Sequence, residues 1–341
     1  MNDPSIGRLP IDTLGPYLEA SIPGFRGLRG AEKFSGGQSN PTYLLSADSG
    51  TCVLRRKPPG ELLKSAHAVD REFRVIQALD GTGVPVARAL HLCEDDAVIG
   101  SMFYVMSHVS GEIYWDPALP ELDPGRRRAV FDGMNRVLAI LHDVDIEAAG
   151  LGDFGRPGDY FARQISRWSR QYAASETEAI ADMDALIRWL PGNIPPDNGM
   201  ISLIHGDYRI DNLIFDPRED VALALLDWEL STLGHPYADL AYQCMQWRLG
   251  REEVMPGLGD LDRGALGIPM EEEYVARYCE RRGIGGIPNW PFYLAFSFFR
   301  FAAIMQGVYR RSLDGNASSE RASEYGSLVR PLARLGVQLA N

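Results

Sequence analysis

Lysine is nearly missing from this chain. Of 34 basic residues only Lys33, Lys57 and Lys64 are lysines, so a site that needs a cation must draw on those three or use arginine. The four cysteines, Cys52, Cys93, Cys244 and Cys279, are widely spaced and form no CxxC pair. That excludes a paired-cysteine zinc site and a disulfide framework, and it predicts free buried thiols in a reducing compartment. No apolar stretch reaches the roughly 18 residues that span a bilayer, and the first ten residues lack an apolar signal core. No membrane partner and a cytoplasmic location are expected. The six histidines show neither HExxH nor HxH spacing, which argues against a metal hydrolase. GxSxG is absent, which argues against a serine hydrolase of that type. No glycine fingerprint stands between a strand and a helix in a parallel βαβ order, as a dinucleotide-binding fold would require. A net charge of −12 disfavours a general nucleic-acid binder.

The 341 residues suffice for two lobes, and 45% hydrophobic with 23% charged residues is ordinary for a globular protein. The charge is uneven. Residues 1–111 carry 12 acids and 11 bases, whereas residues 112–341 carry 34 acids and 23 bases. After a short helix over residues 11–20, three strands are expected at Leu28–Phe34, Thr42–Ala47 and Thr51–Lys57, separated by turn residues as in an antiparallel meander. Ala66–Leu79 has helical spacing at Val69, Phe73, Ile76 and Leu79. Two more strands follow at Ala87–Cys93 and Met102–Val109. Beyond Gly111 long helices dominate, at Arg126–His142, Tyr160–Leu190, Pro236–Arg248, Glu271–Arg281, Pro291–Arg311 and Ser319–Leu339. A strand-rich stretch, Leu203–Leu226, interrupts them. The expected architecture is α+β in two lobes: residues 1–108 with a five-stranded antiparallel sheet, and a helical lobe over 109–341, hinged near Ser107–Gly111.

The stretch Ile204-His205-Gly206-Asp207-Tyr208-Arg209-Ile210-Asp211-Asn212 reads H-x-D-x-x-x-x-N, and Leu226-Asp227-Trp228-Glu229 follows with Asp227 fifteen residues after Asn212. Phosphoryl transfer needs a carboxylate that aims the attacking hydroxyl and accepts its proton, and hard oxygen ligands for Mg²⁺ on the phosphates. Asp207 suits the first role, and Asn212 and Asp227 the second. A hairpin through Asp216-Pro217-Arg218 is expected to set Asn212 and Asp227 side by side. His205 is expected to orient the loop backbone rather than act as a base, and Arg209 joins it among the candidate catalytic residues.

His-Gly-Asp and Asp-Trp-Glu in these places resemble the aminoglycoside phosphotransferase and choline kinase branch of the kinase-like fold. More narrowly, Val53-Leu54-Arg55-Arg56-Lys57-Pro58-Pro59-Gly60, Ser65-Ala66-His67-Ala68-Val69-Asp70-Arg71-Glu72 and Leu226-Asp227-Trp228-Glu229-Leu230-Ser231-Thr232-Leu233-Gly234-His235-Pro236 resemble the phosphotransferase domain fused to some acyl-CoA dehydrogenases. The similarity runs from about residue 30 to about residue 250. It implies a bilobal kinase-like fold, ATP and Mg²⁺ as cofactors, and a small-molecule hydroxyl as acceptor.

The resemblance also implies a nucleotide site. Gly36, Gly37, Gln38, Ser39 and Asn40, between the first two strands, would lay backbone amides against the phosphates. Kinase-like sites place a cation on the third strand and pair it with a helix glutamate. Val53, Arg55 and Lys57 share one strand face by the period of two. Arg55 matches the cation position, with Lys57 as the alternative, Val53 roofs the adenine, and Glu72 is the partner. Adenine would bond backbone groups around Ser107–Val109, including Ser107 and Val109. The dehydrogenase-linked phrases imply a hydroxyacyl-CoA acceptor, for which Arg163, Arg167, Arg170, Arg300, Arg310 and Arg311 are candidate anion contacts. An aminoglycoside, another amino alcohol or a sugar is the alternative acceptor. A catalytically inactive nucleotide-binding pseudokinase is the alternative from another class, and it would be expected to lack Asp207, Asn212 or Asp227. A monomer or homodimer is expected.

Overall fold

The structure is a computed structural model that describes residues 9–34, 40–58, 68–251, 255–315 and 320–340. The expected phosphate turn at Gly36, Gly37, Gln38 and Ser39 lies outside the described residues. Contacts divide the chain into two units: Met1–Ser110 with Ala224–Glu229, and Gly111–Leu223 with Leu230–Asn341.

The first unit opens with α1 (Ile11–Ser21), then β1 (Leu28–Lys33), β2 (Thr42–Ala47), β3 (Gly50–Arg56), α2 (Val69–Ala78), β4 (Ala89–Cys93) and β5 (Phe103–Ser107). These strands form one antiparallel sheet in the order β1-β2-β3-β5-β4. Its two faces follow from side-chain alternation. On one face Leu45, Cys52, Leu54, Phe103 and Val105 bury against Leu14 and Leu18 of α1, a pair at helical i, i+4 spacing. The residues between them on β3, Val53 and Arg55, point to the other face. Both are buried, as are Glu72, Val75 and Ile76 of α2.

The second unit begins with α3 (Pro124–Asp143). Asp123 caps it by accepting from the amides of Gly125 and Arg126, and Pro124 occupies the first turn, where no amide is needed. The helix expected over 160–190 is two helices, α4 (Tyr160–Ser175) and α5 (Ala181–Trp189). The chain leaves the helix at Glu176, where Gln306 Nε2 donates to the Ser175 carbonyl at 2.7 Å and to Thr177 Oγ1 at 3.0 Å. A side chain thus satisfies a terminal carbonyl that a further turn would otherwise have used. Short strands follow: β6 (Ser202–Ile204), β7 (Leu213–Phe215), β8 (Ala222–Leu225) and β9 (Thr232–Gly234). β7 pairs with β8, and β6 pairs antiparallel with β9, a strand the sequence reading missed. Then come α6 (Tyr237–Cys244), α7 (Arg263–Leu266), α8 (Glu271–Arg281), α9 (Trp290–Leu313) and α10 (Gly326–Ala340). The helix expected over 236–248 ends early, in a 3₁₀ turn at Met245–Trp247.

α9 corrects one expectation from the sequence. It is long enough and apolar enough over eighteen residues to cross a bilayer. However, 83% of that window is buried within the fold, so it serves as a core helix.

Candidate active site

In the first unit the chemistry gathers around Arg55. Its side chain is 10% exposed, and Nε lies 2.8 Å from Glu72 Oε2, whose side chain is 1% exposed. Nη2 donates to Asp227 Oδ1 at 2.8 Å, and Glu229 Oε2 is 3.8 Å away. Burial works against the guanidinium charge, but Glu72 and Asp227 foremost, then Tyr104 and Glu229, raise its pKa above the ordinary value. Glu72 is held in turn by Asn40 Nδ2 at 2.7 Å and Tyr104 Oη at 3.2 Å. Burial raises the Glu72 pKa, and the charge of Arg55 opposes that rise without cancelling it.

Lys57 follows the last residue of β3 and sits 3.9 Å from Asp70 in the first turn of α2. Val53 is buried on the Arg55 face. The Asn40 side-chain amide donates to Glu72, a buried carboxylate that needs donors. The Ser107 amide donates to the Arg88 carbonyl and its hydroxyl accepts from the Arg88 amide. Asp227 takes a left-handed backbone, φ 62°, which aspartate tolerates better than most residues, and its side chain is 32% exposed.

In the second unit the loop after β6 is tied down atom by atom. The His205 and Gly206 amides donate to the two oxygens of Asp239 at 2.6 and 2.9 Å. His142 Nε2 is 3.4 Å from the same carboxylate, and its Nδ1 is 2.7 Å from Tyr278 Oη. His205 Nδ1 accepts from the Asp207 amide at 3.3 Å, which places His205 on the loop backbone. Gly206 has φ 85°, and a Cβ there would lie 2.6 Å from the Leu230 carbonyl oxygen. The Gly206 carbonyl accepts from Arg300 Nη2 at 2.6 Å.

Asp207 accepts from Tyr242 Oη at 2.6 Å, and Asn212 Nδ2 donates to its carbonyl at 2.8 Å. Arg209 pairs with Asp211 at 2.5 Å and lies 3.7 Å from Asp207. Burial acts to raise the Asp207 pKa, but Arg209, the Tyr242 hydroxyl, His205 and Arg300 outweigh it and hold the carboxyl below its usual range. The surroundings of Asp207 thus favour its carboxylate form, and its side chain is 26% exposed. Among the described residues no three His, Cys, Asp or Glu side chains cluster as metal ligands.

The profile of the phosphotransferase enzyme family matches residues 30–292. The chain belongs to that family. Acyl-CoA dehydrogenase family member 10 of Mus musculus is 49% identical over 335 residues, covering 97% of this chain but 31% of its own length. A crystal structure from Ralstonia eutropha, described as a candidate aminoglycoside phosphotransferase, is 48% identical with a TM-score of 0.90, over 98% of both chains. Spectinomycin phosphotransferase, solved with ADP and spectinomycin, has a TM-score of 0.63 at 13% identity, covering 96% of this chain and 98% of its own, which shows the shared fold. The match reaches some forty residues past the similarity read from sequence phrases. The chain is a phosphotransferase of the small-molecule kinase kind, and its kinase-like fold is that of the aminoglycoside phosphotransferases.

Several residues escaped the sequence reading: Tyr104 and Glu229 around Arg55, and His142, Asp239 and Tyr242 around the loop that carries Asp207. None belongs to the recognised phrases in a role that spacing could assign, except Glu229, two residues after Asp227. Arg300, read as an anion contact, is instead buried against Gly206 and over the rings of Trp168 and Tyr242. Arg163 is spent on the carbonyls of Arg156, Pro157 and Gly158.

Proposed function

We propose that this phosphotransferase moves the γ-phosphoryl group of ATP to a hydroxyl of a small molecule, with Mg²⁺ as cofactor. The observation that carries the reading is Asp207, a carboxylate kept ionised and partly exposed while its backbone is clamped on both sides. Asp207 accepts the proton of the acceptor hydroxyl as that oxygen bonds to the γ-phosphorus and the bond to the bridging oxygen of ADP breaks. Arg55 carries the charge assigned to the phosphates, in the fork geometry that suits two oxygens. Val53 offers an apolar surface for the adenine.

The donor set suits Mg²⁺ in kind: Asp227 presents a partly exposed hard oxygen ligand. Asp227 and Asn212 would hold the ion. It would supply positive charge to the phosphate oxygens. The ADP in the related spectinomycin enzyme supports nucleotide binding here.

For the acceptor, a hydroxyacyl-CoA is the reading we adopt. Support comes from the relative named for acyl-CoA dehydrogenation, of which this chain spans about a third. The likeness to the candidate aminoglycoside phosphotransferase favours an amino sugar as the second reading. ADP release in the presence of hydroxyacyl-CoAs, aminoglycosides, choline and homoserine separates the two. With the active acceptor, Asp207→Asn should lower turnover by roughly 10²–10⁴-fold while MgATP affinity stays nearly unchanged. Near-normal turnover in that variant would remove Asp207 from the proton-accepting role. A wild-type chain that binds MgATP but turns over with no acceptor would leave a pseudokinase.

A further inference from the structure

The two oxygens of Asp207 are engaged unequally. Oδ1 accepts the 2.6 Å hydrogen bond from Tyr242 and faces Arg209 Nε at 3.7 Å. Among the described residues Oδ2 accepts one bond, a long one of 3.3 Å from Asn212 Nδ2. That nitrogen is closer to the Asp207 carbonyl, at 2.8 Å, and divides its donation between the two acceptors.

Tyr242 has little freedom to let go. It is buried on α6, Phe301 meets its ring edge-on at 5.9 Å, and the Arg300 guanidinium covers its face at 5.3 Å. Arg300 is itself anchored on the Gly206 carbonyl. A buried phenol must place its hydrogen on an acceptor, and Asp207 Oδ1 is the acceptor it finds. Burial, and then the Asp207 charge, raise the Tyr242 pKa well above its ordinary value, so the phenol stays protonated and acts as the donor.

We propose that Tyr242 is a positioning residue for phosphoryl transfer: its hydroxyl occupies Oδ1 and fixes the carboxylate plane, leaving Oδ2 as the oxygen that takes the proton of the acceptor. The proposal rests on the reading of Asp207 given above. The physical reason is that a carboxylate turns readily about its last torsion, which is broad and two-fold. Proton transfer that accompanies attack on phosphorus needs one oxygen held in line. Small losses of alignment at a reacting group cost large factors in rate.

Two measurements test this. The first is hydrolysis of MgATP by the full chain, with water as acceptor and radiolabelled phosphate as readout. Tyr242→Phe should lower kcat roughly 10–100-fold with KM for MgATP within about twofold. In an Asp207→Asn background the same substitution should add less than about twofold, because residues acting as a unit are not additive.

The second measurement is a crystal structure of Tyr242→Phe, which should show the Asp207 carboxylate rotated or split between two orientations. An unmoved, single carboxylate in that crystal overturns the proposal even if hydrolysis is too slow to follow. So does an undiminished kcat, or an equal multiplicative loss in both backgrounds. If Asp207→Asn alone turns over like wild type, the reading of Asp207 falls first, and that outcome is distinct from the others.

Discussion

Replacing Arg55 by alanine, beside the same change at Lys57, separates two cations that lie two residues apart on one strand run. Arg55 is 2.8 Å from Glu72, and both side chains are almost wholly buried. Removing one member of a buried pair costs about 3–5 kcal/mol, since the other charge is left without its counter-ion. Glu72 keeps Asn40 and Tyr104, so the lower end, about 3 kcal/mol, is expected. Lys57 sits 3.9 Å from a half-exposed Asp70, and such a pair contributes about 0–1 kcal/mol. For ATP affinity, loss of a charged hydrogen bond at Arg55 should cost about 1.5–3 kcal/mol, and Lys57→Ala much less.

The pH dependence has a definite sign. Burial holds the Glu72 carboxyl above its ordinary 4.5, and the Arg55 charge counters that rise. In Arg55→Ala the hydrogen bonds from Asn40 and Tyr104 still oppose burial but the Arg55 charge no longer does, so the folded-state pKa climbs further. A carboxyl whose folded pKa exceeds its unfolded one favours the fold below the unfolded value, and that contribution is lost as pH rises through the folded value. The stability deficit of Arg55→Ala relative to wild type should therefore be smallest near pH 4 and largest at neutral pH and above. Urea unfolding followed by fluorescence over that range, with calorimetric titration of MgATP at neutral pH, measures both quantities. The reasoning fails if the two variants rank the other way in either assay, or if the Arg55→Ala deficit deepens towards acid.

Asp227→Ala should abolish the Mg²⁺ dependence of nucleotide affinity while leaving the chain folded, and titration of ATP with and without Mg²⁺ reads this directly. Gly206→Ala must combine φ 85° with a Cβ 2.6 Å from the Leu230 carbonyl, so it should cost more than about 2 kcal/mol in urea unfolding. Gly24→Ala, at φ 84° with nothing within 4 Å, should cost about 1 kcal/mol, and equal losses at the two positions would discount the contact with Leu230. Asp239→Asn puts an amide where two backbone N–H groups and His142 need an acceptor, and should destabilise by about 2–4 kcal/mol. A thermal midpoint indistinguishable from wild type would contradict that assignment.

Some of this was legible because it depends on local order. Alternation along β2 and β3 put Val53 and Arg55 on one face and Leu54 on the other, and the helical spacing of α2 identified the element that carries Glu72. The antiparallel meander, the two-part plan and the family resemblance followed from turn chemistry and short phrases whose spacing is fixed by the backbone. The break between α4 and α5 was not legible. Its cause, Gln306, lies more than 120 residues away in sequence, and residues 160–190 contain no glycine and no proline before Pro191 to announce it.

The sequence by itself determined which residues could do the chemistry: an aspartate and an asparagine five apart, a second aspartate fifteen further on, and an arginine standing where a lysine is scarce. Only the tertiary structure decided what each of them touches. The Asn40 side chain went to Glu72, Arg300 went under the His-Gly-Asp loop, and Tyr242 came to Asp207 from a helix thirty-five residues away. The reason is the cost of burial. A polar group removed from water takes a partner that packing brings within about 3 Å, and sequence distance has no part in that selection.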